Sequence, residues 1–122
     1  MMHQMGLYGD YFRAIKTGQK KVEVRLYDEK RQKINVGDTI QFIKVPEHNE
    51  TLTVQVTDLR TYDTFQGMYE DIPLKDLNCE GWTMEEMVQG TYGIYTREQE
   101  KKWGTLAITM TLIESSISDV DE

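Results

Sequence analysis

The sequence has few of the residues on which several kinds of stabilising or reactive site depend. Its 122 residues include one cysteine, Cys79, which excludes an intramolecular disulfide and a zinc site built from cysteines. A cysteine nucleophile would need a base, and only two histidines, His3 and His48, are present. We therefore expect Cys79 to be a reduced thiol without a catalytic role.

Long apolar runs and recognisable catalytic signatures are also absent. No run approaches the roughly 20 apolar residues of a membrane-spanning helix, and the first residues lack the charged and apolar regions of a signal peptide. The sequence contains no glycine-rich phosphate loop, no serine elbow and no metal-spaced cluster of histidine, cysteine and acidic residues. We therefore expect a cytoplasmic protein with no membrane partner, no metal and no other cofactor.

The charges that are present are unevenly distributed along the chain. The formal net charge is −7, yet the segment 13–33 contains eight basic and three acidic residues, a local charge of +5. The rest of the chain must therefore carry −12. An acidic protein with one basic segment is typical of anion binding at a single place, although a basic helix and strand that are merely solvated would give the same pattern.

Hydrophobic periodicity and capping residues predict one longer helix near the start and three short helices in the second half. Apolar residues spaced i, i+3, i+4 and i+7 predict a first helix that packs against the core, with the stripe Tyr8, Tyr11, Phe12 and Ile15. The short helices are predicted from the N-cap residues Thr64, Thr83 and Thr96. Thr83 and Glu86 have the spacing of a capping box.

Alternating apolar residues predict the strands, which lie at 21–26, 39–45, 51–62 and 106–112. Because turns rather than long crossover helices join these strands, we expect an α+β fold with a mixed or mainly antiparallel sheet. Short strands with tight turns favour a small, partly closed β-barrel with short flanking helices, since closure removes exposed edges.

One domain accounts for nearly all of the chain. A chain of this length forms one compact domain, which we place at residues 1–113. Residues 114–122 include four acidic and no basic residues and have little to bury, so we expect a disordered acidic tail.

The segment Gly18–Arg25 is the strongest candidate for a functional site. Gly18 is placed to end the first helix, and strand geometry puts Lys21, Glu23 and Arg25 on one face. The same geometry turns Lys20 away from them unless the chain kinks after Gly18. An anion bound there would meet the cations, with Glu23 accepting from a ligand donor or holding Arg25 in place. A solvated charged face on a half-buried strand is the structural alternative.

The pattern Gly18-x-Lys20-x-x-Glu23-x-Arg25 after this helix resembles the ASCH domain, a branch of the PUA-like superfamily. The resemblance continues through Val36-Gly37-Asp38 and 62–65 to 95–98 and the strand that follows Gly104. It covers the chain from Leu7 to about Leu112.

This resemblance implies a small β-barrel with a cleft that binds RNA or a nucleotide-like ligand. Lys20, Glu23 and Arg25 would line the cleft, and three further cations nearby would contact phosphates, namely Lys21, Arg31 and Lys33. Among the aromatic residues, Trp82 is our candidate for stacking on a base, because it lies beside Glu80 in an irregular stretch.

Some members of the family resemble amidohydrolases of N(4)-acetylcytidine that use a lysine, a threonine and a glutamate. Lys20 matches the lysine, Glu23 occupies the threonine position, and Glu80 matches the glutamate through the stretch 80–87. Because glutamate has no hydroxyl, a hydrolase here would use Glu23 or Glu80 as a base toward water, with Lys20 stabilising developing negative charge.

Three functional hypotheses therefore stand. The first is binding of RNA or a modified nucleotide in the cleft. The second is hydrolysis at the same cleft, of an acylated nucleoside or of RNA. The third is a protein-interaction domain in which the acidic surface is the binding face.

Overall fold

Residues 1–117 contain five strands and four helices. The computed structural model describes residues 1–117. The strands are β1 (Met2–Tyr8), β2 (Val22–Leu26), β3 (Thr39–Val45), β4 (Glu50–Tyr62) and β5 (Thr105–Ile117). The helices are α1 (Gly9–Lys16), α2 (Phe65–Asp71), α3 (Met84–Tyr92) and α4 (Arg97–Trp103), with short 3₁₀ turns at Arg31–Lys33 and Leu74–Leu77. The α+β prediction is confirmed.

The strands form one mixed sheet in the order β1-β3-β4-β5-β2. β1 runs parallel to β3, and the other neighbouring strands pair in antiparallel fashion. Within residues 1–117 the two edge strands, β1 and β2, share no backbone ladder, so the sheet is not closed and the predicted barrel is not confirmed. A side chain spans the opening instead, because the Arg25 guanidinium donates from Nη2 to the Gly6 carbonyl at 3.0 Å.

The sheet buries apolar side chains in two clusters. One contains Phe12 and Ile15 of α1 together with side chains of β1, β3, β4 and β5. The other contains Val22 and Leu26 of β2 together with side chains of α2 and α3. Because the short β2 is covered so extensively, its burial does not alternate as the sequence pattern predicts, and Glu23 is buried along with Val22.

Side-chain caps begin the three later helices as predicted. Thr64 Oγ1 accepts from the Gly67 N–H at the start of α2, and the Thr83–Glu86 capping box begins α3. A second capping box begins α4, where Thr96 pairs with Gln99. These caps satisfy backbone donors that helix geometry leaves free, which fixes where each helix starts.

Two expectations about burial differ from the structure. Of the apolar stripe predicted to pack against the core, only Phe12 and Ile15 of α1 are buried, whereas Tyr11 and Tyr8, which ends β1, are exposed. The expected tail also begins later, since 114–117 continue β5 and pair with β4 from Glu50 to Thr53. This backbone pairing does not depend on apolar burial, which was the signal used to place the tail. The remainder of the predicted tail, 118–122, lies outside the described residues.

In the part of the chain that the structure describes, no helix is long and apolar enough to cross a membrane.

Candidate functional site

A backbone kink between α1 and β2 positions the first cation of the site. Gly18 has a φ of +80°, in the left-handed region that glycine adopts without strain. The chain then folds back, so that the Lys20 N–H donates to the Ala14 carbonyl at 2.9 Å. The kink directs Lys20 inward and leaves Lys21 exposed, which reverses the placement that an undistorted strand would give.

Lys20, Glu23 and Arg25 form one ionic cluster, in which Lys20 and Glu23 are buried and Arg25 is half-buried. Glu23 Oε1 lies 2.9 Å from Lys20 Nζ, and Glu23 Oε2 lies 2.8 Å from Arg25 Nη2. Arg25 Nε also donates to Glu23 Oε2 at 2.9 Å, so the guanidinium engages the carboxylate through two nitrogens. The Lys20 ammonium lies over the Tyr11 ring, 4.8 Å from its centre. Lys20 and Glu23 have little exposure, with relative values of 9% and 4%.

The neighbouring cations keep the Glu23 carboxyl ionised despite its burial. Burial acts to raise the pKa of Glu23, but the charges of Lys20 and Arg25 and their hydrogen bonds outweigh it, so the pKa lies below its ordinary value. The cluster therefore carries two positive charges and one negative charge, a net charge of +1.

This cluster lies in a cleft of about 580 Å³. One wall comes from the junction of β1 and α1, and the opposite wall comes from α3 and the segments on either side of it. Four of its lining side chains are large, apolar and substantially exposed, namely Tyr8 (68%), Tyr11 (47%), Trp82 (51%) and Ile94 (64%). Soluble proteins rarely group exposed apolar side chains without a binding role, so this mouth is suited to a planar or apolar ligand.

The structure does not bring every predicted site residue to the cleft. Lys20, Glu23, Arg25 and Trp82 line it. Gly18 allows the backbone kink that precedes Lys20 but does not itself line the cleft. Lys21 and Lys33 are exposed and also lie outside the lining.

Arg31 and Glu80 also lie outside the lining. Arg31 Nη1 pairs with Asp28 Oδ2 at 3.0 Å. Glu80 is exposed and is not among the lining residues, although its neighbour Cys79 lines the cleft.

Three buried or half-buried cleft groups were not selected from the sequence as site residues. Thr91 donates its hydroxyl proton to the Met87 carbonyl at 2.8 Å. The Tyr69 hydroxyl, 2.6 Å from Thr91 Oγ1, must therefore act as the donor to Thr91. Tyr95 stacks on Phe65 at a ring separation of 5.5 Å. In the sequence these residues look like ordinary residues of short helices and their flanks. That pattern does not distinguish a residue of a cleft wall from one packed in the core.

Burial also determines which cleft groups are chemically inert. It raises the pKa of the Tyr69 hydroxyl to about 12. It raises the pKa of the Cys79 thiol as well, although Lys20 opposes this effect, and Cys79 Sγ donates to the Leu77 carbonyl at 3.4 Å. A protonated, hydrogen-bonded thiol is a poor nucleophile. Among residues 1–117, no group of three or more potential metal ligands is found.

Comparison with known proteins identifies relatives of this architecture. The family model described as the ASCH domain matches residues 5–114. The crystal structure of hypothetical protein PH0355 has a TM-score of 0.83 and 38% identity, over 93% of this chain and 100% of that chain. The NMR structure of protein PF0455 from Pyrococcus furiosus has a TM-score of 0.74 and 37% identity, over 93% and 99% of the two chains.

A more distant match shows the fold alone. ASCH from Zymomonas mobilis has a TM-score of 0.54 and 11% identity, over 90% of this chain and 66% of that chain. No curated protein matches the chain.

Proposed function

Because the chain belongs to the ASCH domain family, we propose that it binds a nucleotide unit, either free or as an unpaired residue of RNA, in the cleft beside Lys20, Glu23 and Arg25. The observation that carries this proposal is the combination of a buried cationic cluster with exposed aromatic rings around one opening. Bases stack on aromatic faces, and cations with free N–H groups bind the polar atoms of a base or a phosphate.

The dimensions of the cleft favour one nucleotide rather than a long stretch of strand. Its volume of about 580 Å³ falls within the usual range for small-molecule sites, roughly 300–1,000 Å³. The cations that would extend a track along a strand, Lys21 and Lys33, lie outside it. Unpaired bases are the parts of RNA that proteins usually capture in pockets, which fits a site of this size.

The hydrolytic alternative receives less support from the geometry. The Lys20 ammonium is already engaged by the Glu23 carboxylate at 2.9 Å and lies over the Tyr11 ring, which suits it to holding a ligand rather than to taking a proton from water. Glu80, the second candidate base, is exposed and outside the cleft lining. Hydrolysis at this cleft and protein binding through the acidic surface stay predictions from the sequence.

Binding tests should begin with Trp82, because its side chain is exposed and its removal should leave the core intact. We expect Trp82→Ala to weaken binding of a short unstructured RNA and of mononucleotides by about fivefold or more, the usual loss when a stacking aromatic is removed. Fluorescence anisotropy with labelled RNA, and competition by unlabelled nucleotides, would measure it.

Val36→Ala is the matched control, since Val36 is also an exposed apolar residue but does not line the cleft. Lys20→Ala should weaken binding while Lys21→Ala should not, with thermal unfolding used to confirm that each variant is folded. Unchanged binding in both Trp82→Ala and Lys20→Ala would show that the ligand binds elsewhere.

A further inference from the structure

One backbone edge of β2 is left unpaired beside the cleft. In an antiparallel pair, residues that bond the neighbouring strand alternate with residues whose N–H and C=O point the other way. The Lys21 carbonyl accepts from the Met110 N–H at 3.1 Å, and the Tyr27 N–H donates to the Gly104 carbonyl at 3.0 Å. The odd-numbered residues of this segment therefore bond β5. The even-numbered residues direct their N–H and C=O to the opposite side, where β2 has no neighbouring strand within residues 1–117.

Val24 is the part of this edge that a ligand can reach. Val22 and Leu26, the other even-numbered residues of β2, are buried and do not line the cleft. Val24 is half-buried and lines it. Neither the N–H nor the C=O of Val24 has a hydrogen-bond partner among residues 1–117. The accessible edge is thus one residue long, which matches one small planar group.

The polar side chains at the buried end of the cleft are already paired with one another. The Glu23 carboxylate is engaged by Lys20 and by two nitrogens of Arg25. The Tyr69 and Thr91 hydroxyls both donate within the protein. The Val24 backbone offers what these side chains do not, a donor and an acceptor on the same side that are both unused.

This pair of groups is complementary to a ligand edge that has an acceptor beside a donor. The N–H and C=O of one extended residue point the same way, which is how opposed residues in a sheet exchange two hydrogen bonds. The Watson–Crick edges of all four bases have an acceptor beside a donor, as with O4 and N3–H in uracil or N1 and the N6 amino group in adenine. A phosphate has acceptors alone and would leave the Val24 carbonyl without a donor.

Resting on the function proposed above, we propose that the Val24 backbone binds the Watson–Crick edge of an unpaired base. The Val24 N–H donates to the acceptor of that edge, and the Val24 carbonyl accepts from its donor. Base pairing uses the same edge, so the cleft excludes bases within a duplex and admits all four bases when they are unpaired.

The first test compares three nucleotides that differ by one methyl group. Uridine 5′-monophosphate has the free edge, the 3-methyl compound has a methyl group in place of the N3–H proton, and the 5-methyl compound has it on another edge of the ring. We expect the 3-methyl compound to bind about fivefold or more weakly than the uridine compound, the usual cost of losing a matched pair of hydrogen bonds. The 5-methyl compound should bind within about twofold of the uridine compound.

Amide hydrogen exchange followed by NMR observes the proposed contact itself. The Val24 amide should exchange rapidly in the free protein and severalfold more slowly with saturating uridine 5′-monophosphate, because the N–H then has a partner. The Glu23 and Arg25 amides are the internal controls, since both bond β5 and should be protected with or without the nucleotide.

Val24→Pro removes this one N–H. Proline is tolerated on an edge strand where the N–H points away from the ladder, so the pairing of β2 with β5 should persist. Val24→Ala shortens the side chain but keeps the N–H. We expect uridine 5′-monophosphate to bind about fivefold more weakly to the proline variant than to the alanine variant. If the proline variant does not fold, the methylated nucleotides and the exchange measurement still decide the question.

The other outcomes separate this inference from the function on which it rests. Equal binding of the uridine and 3-methyl compounds would overturn recognition of the Watson–Crick edge while leaving nucleotide binding intact. Binding of another nucleotide without binding of the uridine compound would also overturn it. Failure of every nucleotide and of RNA to bind would overturn both proposals.

Discussion

Glu23 is the residue on which the candidate site most depends. A buried carboxylate is costly to desolvate, and Lys20 and Arg25 offset that cost only because both contact it directly. The same contacts fix the two cations, so one side chain determines the position of the donors that a ligand would meet. Removing its charge would leave two cations close together in a buried place.

We therefore expect Glu23→Gln to lower the free energy of unfolding by about 3 kcal/mol at pH 7, the typical cost of breaking a buried ion pair. The folded-state pKa of Glu23 lies below its ordinary value of 4.5, so its contribution to stability is present above pH 4.5 and is lost as the pH falls through the folded pKa. The stability difference between wild type and variant should therefore shrink below that pH. Chemical denaturation at several pH values would measure it.

Asp28→Asn is the matched control, because Asp28 pairs with Arg31 at a more exposed position. This variant should lose less than about 1 kcal/mol of unfolding free energy, as is usual for surface ion pairs. Equal losses in the two variants would contradict the role given to the buried cluster.

Asp38 gives a second acid-sensitive contact, near the start of β3. Hydrogen bonds from the His3 ring, and from the Asn35 N–H, lower the pKa of the Asp38 carboxyl from 3.8 to about 2. Its contribution to stability is present above pH 3.8 and is lost as the pH falls toward 2. We expect Asp38→Asn to flatten the decline in melting temperature between those pH values, and an unchanged decline would contradict this contact.

At the scale of elements, the candidate site depends on how α1 passes into β2 and on how α4 passes into β5. The sequence predicts both junctions, because Gly18 and Gly104 each follow a helical segment and precede an alternating one. It does not predict which side chains face the cleft. Lys20 reaches Glu23 only because the kink at Gly18 departs from strand geometry.

The opposite cleft wall illustrates the same limit. Tyr69 and Thr91 come from two helices far along the chain from the motif, and their helical periodicity is that of ordinary packing residues. Trp82 and Glu80 were both predicted from one irregular stretch and both are exposed, yet only Trp82 lines the cleft. Local pattern fixes the type of an element, but tertiary packing decides which residues of a loop face inward.

Gly104 tests the second junction directly. Its φ of 71° and ψ of −172° lie in a region that only glycine adopts readily, and an added Cβ would lie 3.1 Å from the Tyr62 carbonyl oxygen. We expect Gly104→Ala to lower the free energy of unfolding by about 1–3 kcal/mol, measured by chemical denaturation.

Gly90→Ala is the control substitution, and we expect it to change the free energy of unfolding in the opposite direction. Gly90 lies inside α3, and an added Cβ there would meet nothing within 4 Å. Alanine should stabilise the helix by about 0.5–1 kcal/mol, because it loses less backbone entropy on folding. Equal effects of the two substitutions would contradict the strain argument at Gly104.

At the scale of the whole molecule, charge limits how nucleic acid can bind. The protein carries a net charge of −7, so most of its surface repels a polyanion. The cleft lining contributes two cations, Lys20 and Arg25, and two carboxylates, Glu23 and Asp10. If RNA binds at the cleft as proposed, we therefore expect few of its phosphates to be neutralised.

The salt dependence of RNA binding measures how many phosphates are neutralised, because each neutralised phosphate of a single strand contributes about −0.7 to the slope of log K against log salt concentration. With at most two cleft cations available, we expect a slope no steeper than about −1.4 for a short RNA titrated between 50 and 200 mM salt. Lys21→Ala and Lys33→Ala should leave this slope unchanged, since both residues lie outside the cleft. A slope steeper than about −3 that these substitutions reduce would instead place the strand along the basic segment, with many phosphates bound on the surface.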